Sequence, residues 1–413
     1  MMKALLKNPM FSITFRKITI PQDINQRLDH FVKAHSRLNW GQAQSLLKRR
    51  LVYVTKGGAP KTRIRDNAYR LKKDDEVHVV DSVELSDSIK FGEPGTKRNI
   101  DDRKYLQALM GHMAVHEADD FVVVNKPVGI YAQGTGVLKL NLPNIVSSYY
   151  QGIGRECKAS VVHRLDRPVS GLMVLALNGR FSKYIGEQLK LKRVDKTYTA
   201  ICDGLAEKLL GGSHATSIDC YMRFSESNQR AIVENGKETE GSRKTSTKAR
   251  LARVFAKDAK TDRCRVFELA NSDDRAALEA VLTGKQRDSC KFYSEVEYQL
   301  LTGKRHQLRA VSKYILGTPI LFDFKYGYGS PSPRAVEHSV HKRLTDDSFV
   351  IADDEVLNKY LKGQYRDKEY IYLASSKLAF GAIDAADGEK EHAFTAPYNH
   401  HFAQFIKYFE SSA

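Results

Sequence analysis

The sequence predicts an α+β chain built on a mainly antiparallel sheet, with a small basic α/β unit ahead of it. Three observations carry that reading. After His112, strand-like runs dominate and helical stretches interrupt them without regular alternation, which disfavours a doubly wound parallel sheet. At 413 residues and 42% hydrophobic content the chain can bury a large core and hold two or three domains. Charge is also unevenly divided. The chain carries +17, yet residues 1–73 hold 17 Lys and Arg against Asp23, Asp29 and Asp66, a balance of +14 that leaves +3 for the other 340 residues. A basic block beside a near-neutral body is the footprint of a polyanion-binding protein. Nucleic acid is the leading partner. An acidic membrane surface is the rival, but no strongly amphipathic helix accompanies the charge and no apolar run reaches the length of a membrane span.

Taken in order, residues 1–22 hold Lys3, Lys7, Arg16 and Lys17 and no acid, with Leu5, Leu6, Met10 and Phe11 interspersed. They read as an organelle transit peptide or a short basic arm. Residues 23–80 read as one compact unit. Ile24, Leu28, Phe31 and Val32 recur at helical spacing, and Asn39 or Gly41 opens a second helix with Ala43, Leu46 and Leu47 on its apolar side. Lys48, Arg49 and Arg50 fall at its end, where positive charge is locally favourable. Leu51–Val54 reads as a strand, Lys56-Gly57-Gly58 as a turn, and Glu76–Val80 as a closing strand. Residues 81–111 are polar and read as a linker.

In the body, residues 112–413, strands are expected over Phe121–Val124, Leu172–Leu177, Tyr198–Cys202, Glu295–Leu301 and Tyr370–Phe380, and helices over Ile145–Gln151 and Phe181–Leu191. Residues 257–292 and 330–368 read as inserted loops or partner surfaces. The five cysteines are scattered and suit free thiols, and His400-His401 reads as a surface or helix-end pair, so no metal site is expected.

The chemistry centres on His163-Arg164-Leu165-Asp166-Arg167-Pro168-Val169-Ser170-Gly171, an acid inside a turn-forming segment between two strand-like runs. Asp166 sits among cations, so it either caps the turn and pairs with an arginine or stands ionised as a nucleophile. The stretch resembles the signature of the RluA-type pseudouridine synthases: His-Arg-Leu-Asp, two variable residues, then Thr-Ser-Gly. Six of seven specified positions match, with Val169 in the place of Thr. Further blocks follow in that family's order: Asp120–Gly129 with its Asn-Lys-Pro-x-Gly turn, Lys196-Thr197-Tyr198-Thr199-Ala200 closing at Gly204, Thr302–Arg309, then Pro319, Asp323, Tyr326 and Gly327.

The resemblance implies the pseudouridine synthase fold, a curved, mainly antiparallel mixed sheet with a cleft along one face. It implies isomerisation of uridine to pseudouridine without a cofactor. Asp166 would be the essential carboxylate, Tyr198 the active-site tyrosine that stacks on an extruded uracil, and Arg309 the arginine that pairs with Asp166. Arg164 would help displace the base or hold a phosphate, with His163 and Lys196 at the substrate. Residues 23–80 resemble the alpha-L RNA-binding domain through Arg27-Leu28-Asp29, Gln42-Ala43, Leu51–Val54 and Asp74–Val77. Gly41, Gln42, Lys48, Arg49 and Arg50 would be its backbone contacts, which anchor phosphate without choosing sequence. Trp40 is expected to pack at a helix entry.

Lys304-Arg305 replaces the family's Arg-Thr, and Val311 stands where a His is common. The expected function is therefore an RNA pseudouridine synthase acting on structured RNA, foremost ribosomal RNA, in a mitochondrion, with cytoplasm or nucleus as alternatives. The competing reading is an RNA-binding ribosome-assembly factor that keeps the fold as a scaffold. A hydrolase using Asp166 and His163 fits poorly, because no Ser or Cys nucleophile accompanies them.

Overall fold

The computed structural model describes residues 11–22, 25–35, 52–56, 69–85, 100–134, 141–211, 215–234, 238–327, 358, 370–383 and 391–411. The chain divides into two compact units, Met1–Met110 with Gln133–Glu156, and Gly111–Ala132 with Cys157–Ala413.

In the first unit, β1 (Phe11–Thr19), α1 (Leu28–His35), β2 (Val52–Lys56) and β3 (Asp75–Leu85) make a three-stranded antiparallel sheet in the order β1-β3-β2, accompanied by one helix. Leu28, Phe31 and Val32 of α1 and Val52, Val54 and Val77 of the sheet are buried. Asp29 is buried at the helix start and accepts two bonds from Arg27, which hold its carboxyl below the usual range. The unit starts earlier than residue 23: the basic arm expected over residues 1–22 is a strand from Phe11 to Thr19, since Ser12, Ile13, Thr14, Phe15 and Ile18 favour an extended, paired backbone.

The expected linker is likewise partly ordered. Residues 81–85 complete β3, and α2 (Ile100–Met113) occupies its end. Leu106, Leu109, Met110 and Met113 form the buried stripe of that helix, and the charged residues Asp101–Lys104 at its start hid the period. Helix α3 (Leu142–Gly152), with Asn141 as N-cap and Pro143 in its first turn, falls in the first unit, although the sequence assigns it to the body. Trp40, Gly41, Gln42, Lys48, Arg49 and Arg50 lie outside the described residues.

The second unit is organised on one 12-stranded sheet. Along its main path the order is β10 (Arg230–Glu234), β9 (Thr216–Ser225), β11 (Arg243–Asp258), β13 (Cys290–Leu300), β8 (Asp195–Asp203), β14 (Leu373–Gly381), β7 (Ser170–Ala176), β5 (Phe121–Lys126) and β4 (Ala114–Glu117). β12 (Cys264–Glu268), β15 (Glu391–Thr395) and β6 (Ser160–Val161) attach to β11, β14 and β7. Among the described residues every pairing of this sheet is antiparallel except β14 with β7.

That one parallel contact is made at Gly171, whose φ is +113°, and a Cβ there would lie 2.3 Å from the Ser375 carbonyl oxygen. Only glycine fits. Helix α4 (Gly179–Lys190), N-capped by Asn178, lays Phe181 and Ile185 on Phe121, Val123, Leu172 and Val174. Residues 257–292 are ordered rather than looped: they hold β12, α5 (Ser272–Thr283) and the start of β13. Further helices among the described residues are α6 (Gln307–Ala310), running on as a π-helical turn to Ile315, and α7 (His400–Ser411). Phe405 and Phe409 of α7 pack on Phe255 and Tyr293. His400 and His401 stand at the start of α7, the expected helix end, but His401 is fully buried against Tyr370 and Tyr372 rather than at the surface. The inserted segment expected over 330–368 lies, apart from Asn358, outside the described residues.

Candidate active site

A cleft of about 530 Å³ opens in the second unit, a size suited to a nucleotide-sized ligand. The segment from Val162 to Val169, β8, the end of β13, the run from Gly303 to Arg309 and Leu373 line it. It gathers His163, Arg164, Asp166, Lys196, Tyr198 and Arg309, all of which the sequence nominates.

Asp166 stands in the loop between β6 and β7. The Val169 amide donates to the Asp166 carbonyl at 3.0 Å and closes the turn through the backbone; the Val169 side chain is buried. The loop is also fixed from outside. Gly129 N–H donates to the Arg167 carbonyl and Arg167 Nε returns a bond to the Gly129 carbonyl, both 2.9 Å. Lys126, fully buried, donates from Nζ to the carbonyls of Pro127 and Ile130 at 3.0 Å and of Arg167 at 3.4 Å. Burial and the neighbouring Arg167 push its pKa down to about 7, against which the Asp166 carboxylate acts. The Asn-Lys-Pro-x-Gly turn is thus the clamp of the Asp166 loop. No local pattern signals this, because Lys126 and Arg167 stand 41 residues apart.

Arg309 reaches Asp166 Oδ2 from Nη1 at 3.2 Å, and binds Asp323 with two bonds, Nε to Oδ2 at 2.6 Å and Nη2 to Oδ1 at 2.7 Å. Asp323 is 1% exposed and Asp166 27%. The guanidinium therefore bridges a buried carboxylate, which orients it, and an accessible one, which faces the cleft. Both contacts that Asp166 receives, from Arg309 and from His306 Nε2 at 3.5 Å, fall on Oδ2.

Tyr198 is buried in β8, opposite Tyr298 of β13 and Ser375 of β14. Burial, helped by the Asp166 charge, pushes its hydroxyl well above the usual range, so it stays a donor. His163 Nε2 accepts the Val174 amide at 3.2 Å, and burial holds its pKa down at about 3. It is a neutral strut between loop and β7. Burial also lowers the pKa of Lys196. Arg164 is exposed at the cleft.

Of the departures from the family pattern, Arg305 stacks over Phe224 at 4.0 Å and donates to Gln229, and Val311 is fully buried in the π-helical turn. Gln307 ties the segment to β11 through the Ser246 carbonyl and Thr247 Oγ1. Among the described residues no group of three His, Cys, Asp or Glu side chains converges as a metal site requires.

The family described as RNA pseudouridylate synthase matches residues 120–314, a stretch that contains Asp166, Tyr198 and Arg309. Residues 120–314 carry the RNA pseudouridylate synthase domain. Among its relatives are the ribosomal large subunit pseudouridine synthase C of Rickettsia bellii, 25% identical over 75% of this chain and 85% of the relative. The mitochondrial RNA pseudouridine synthase 4 of Arabidopsis thaliana is 26% identical over 57% of this chain and 44% of its own length. The mitochondrial pseudouridylate synthase RPUSD4 of Xenopus tropicalis is 28% identical over 60% of this chain and 70% of its own.

Proposed function

We propose that the chain isomerises uridine to pseudouridine in structured RNA, foremost ribosomal RNA, with Asp166 as the essential carboxylate. The observation that carries this is the Asp323–Arg309–Asp166 bridge: a carboxylate held by a buried, oriented cation at the wall of a nucleotide-sized cleft.

The isomerisation breaks the N1–C1′ bond of uridine, turns the freed base, joins C5 to C1′, releases the C5 proton and places a proton on N1. Asp166 supplies the negative charge, as nucleophile or as stabiliser of the electron-poor sugar. Tyr198 stacks on the extruded base with its hydroxyl protonated. Arg164 helps displace the target base or holds a phosphate, Lys196 meets the substrate, and His163 supports the loop. The basic first unit, with Gly41, Gln42, Lys48, Arg49 and Arg50, supplies salt-dependent backbone affinity. Relatives named for mitochondria support a mitochondrial location.

The test is release of tritium from C5-labelled uridine in large-subunit ribosomal RNA transcripts by the purified protein. Wild type is expected to release it and Asp166→Asn to release none while still binding the RNA. Binding without release by wild type would leave the scaffold reading in its place.

A further inference from the structure

His306 has no role in the chemistry above, yet its ring is in contact with the proposed catalytic carboxylate. Its backbone is left-handed, with φ 59° and ψ 19°, a conformation that costs a non-glycine residue on the order of 1 kcal/mol. Its Nε2 lies 3.5 Å from Asp166 Oδ2, the same oxygen that Arg309 holds at 3.2 Å. Its other nitrogen, Nδ1, lies 3.0 Å from the Tyr326 hydroxyl. That hydroxyl accepts the Ala231 amide N–H at 2.6 Å. A phenol oxygen occupied as an acceptor by an amide keeps its own proton to donate, and Nδ1 is placed to receive it. The ring proton then sits on Nε2, facing Asp166.

The ring is packed edge-on by Phe224 and Tyr326 and is 7% exposed. Burial pushes its pKa down to about 3; Arg309, Lys325 and Arg305 also oppose its protonation and only Asp166 favours it. The ring is neutral in the physiological range.

We propose that His306 is a positioning residue for Asp166. Tyr326, itself anchored by the Ala231 amide, fixes the Nε2–H tautomer. The imidazole N–H and Arg309 together hold Oδ2, leaving Oδ1, which has no hydrogen-bond partner among the described residues, as the oxygen that meets the substrate. At 3.5 Å the imidazole contact is longer than a hydrogen bond, and it tightens when the nucleotide fills the cleft. This rests on the reading of the cleft as the synthase site.

The test exploits the left-handed backbone. Asparagine tolerates that conformation better than most residues, but its amide nitrogen reaches only the place of Nδ1. Glutamine extends to the place of Nε2. If His306 positions Asp166, His306→Gln keeps turnover near wild type. His306→Asn folds as stably as wild type yet loses about ten- to one-hundred-fold in kcat with KM little changed, the size expected for a hydrogen bond to a charged group. A purely structural role predicts the reverse order, Asn active and Gln impaired, and that result overturns the proposal.

A second measurement is independent of activity. In [15N]His-labelled protein, with the resonance assigned by its loss in His306→Asn, wild type is expected to show the Nε2–H tautomer and Tyr326→Phe to move it toward Nδ1–H. An Nδ1–H ring in wild type overturns the clamp. Absence of tritium release by wild type would instead defeat the functional reading and leave the tautomer result standing.

Discussion

At the scale of single residues, the central pair is Arg309 and Asp166, and Asp323 is the side chain that makes it specific. A buried guanidinium is costly unless matched, and Asp323 matches it with two bonds. Asp323→Ala is expected to lower stability by about 3–5 kcal/mol and to cost most of the turnover, because it removes the group that aims Arg309. Denaturant unfolding and tritium release check the two effects. Arg309→Lys keeps the charge but cannot bridge both carboxylates; it is expected to fold and to lose at least about tenfold in kcat, which single-turnover kinetics reads.

Asp166, Tyr198 and Arg309 were legible in the sequence because each sits inside a contiguous block of residues. Lys126 and His306 stand in such blocks too, but their parts depend on partners far along the chain, Arg167 and Tyr326, which no local pattern reveals.

At the scale of elements, Gly171 joins the Asp166 loop to the sheet. Gly171→Ala forces a left-handed alanine into the Ser375 backbone and is expected to cost at least about 3 kcal/mol, seen as a lowered denaturation midpoint, with early hydrogen exchange in β7 and β14. Phe405→Ala empties the contact of α7 with Phe255 and Tyr293 and should cost about 3–5 kcal/mol while leaving kcat unchanged for the folded fraction.

The strands of the body were legible where apolar and polar residues alternate, as in Val296, Tyr298 and Leu300, or where an apolar run is short and bounded, as in β7. Elements rich in charge were not. β1 carries Arg16 and Lys17 on a paired strand, α2 starts with the charged residues Asp101–Lys104, and the ordered stretch 257–292 mixes charges on a hairpin strand and a helix exposed on one side.

At the scale of the whole molecule, His163, His306 and His401 each have a pKa held down to about 3 by burial. The unfolded chain binds these protons near pH 6.5 and the folded chain does not, so stability is full above about pH 6.5 and falls as pH drops from there toward 3. Denaturation midpoints measured from pH 7.5 to 4.5 should fall, and replacing His401 with a neutral residue should make the fall less steep. The α+β class and the mainly antiparallel sheet were legible from the order of strand-like runs. The path β10-β9-β11-β13-β8-β14-β7-β5-β4 was not, since strand order is set by long-range pairing.

Isomerisation of uridine in this cleft through Asp166 is tested most directly by nucleotide-resolution pseudouridine mapping of total RNA from cells carrying wild type, a deletion, or Asp166→Ala. The same uridine is expected to lose its modification in the deletion and in Asp166→Ala alike. An unchanged map in both, with ribosome assembly failing only in the deletion, would contradict it.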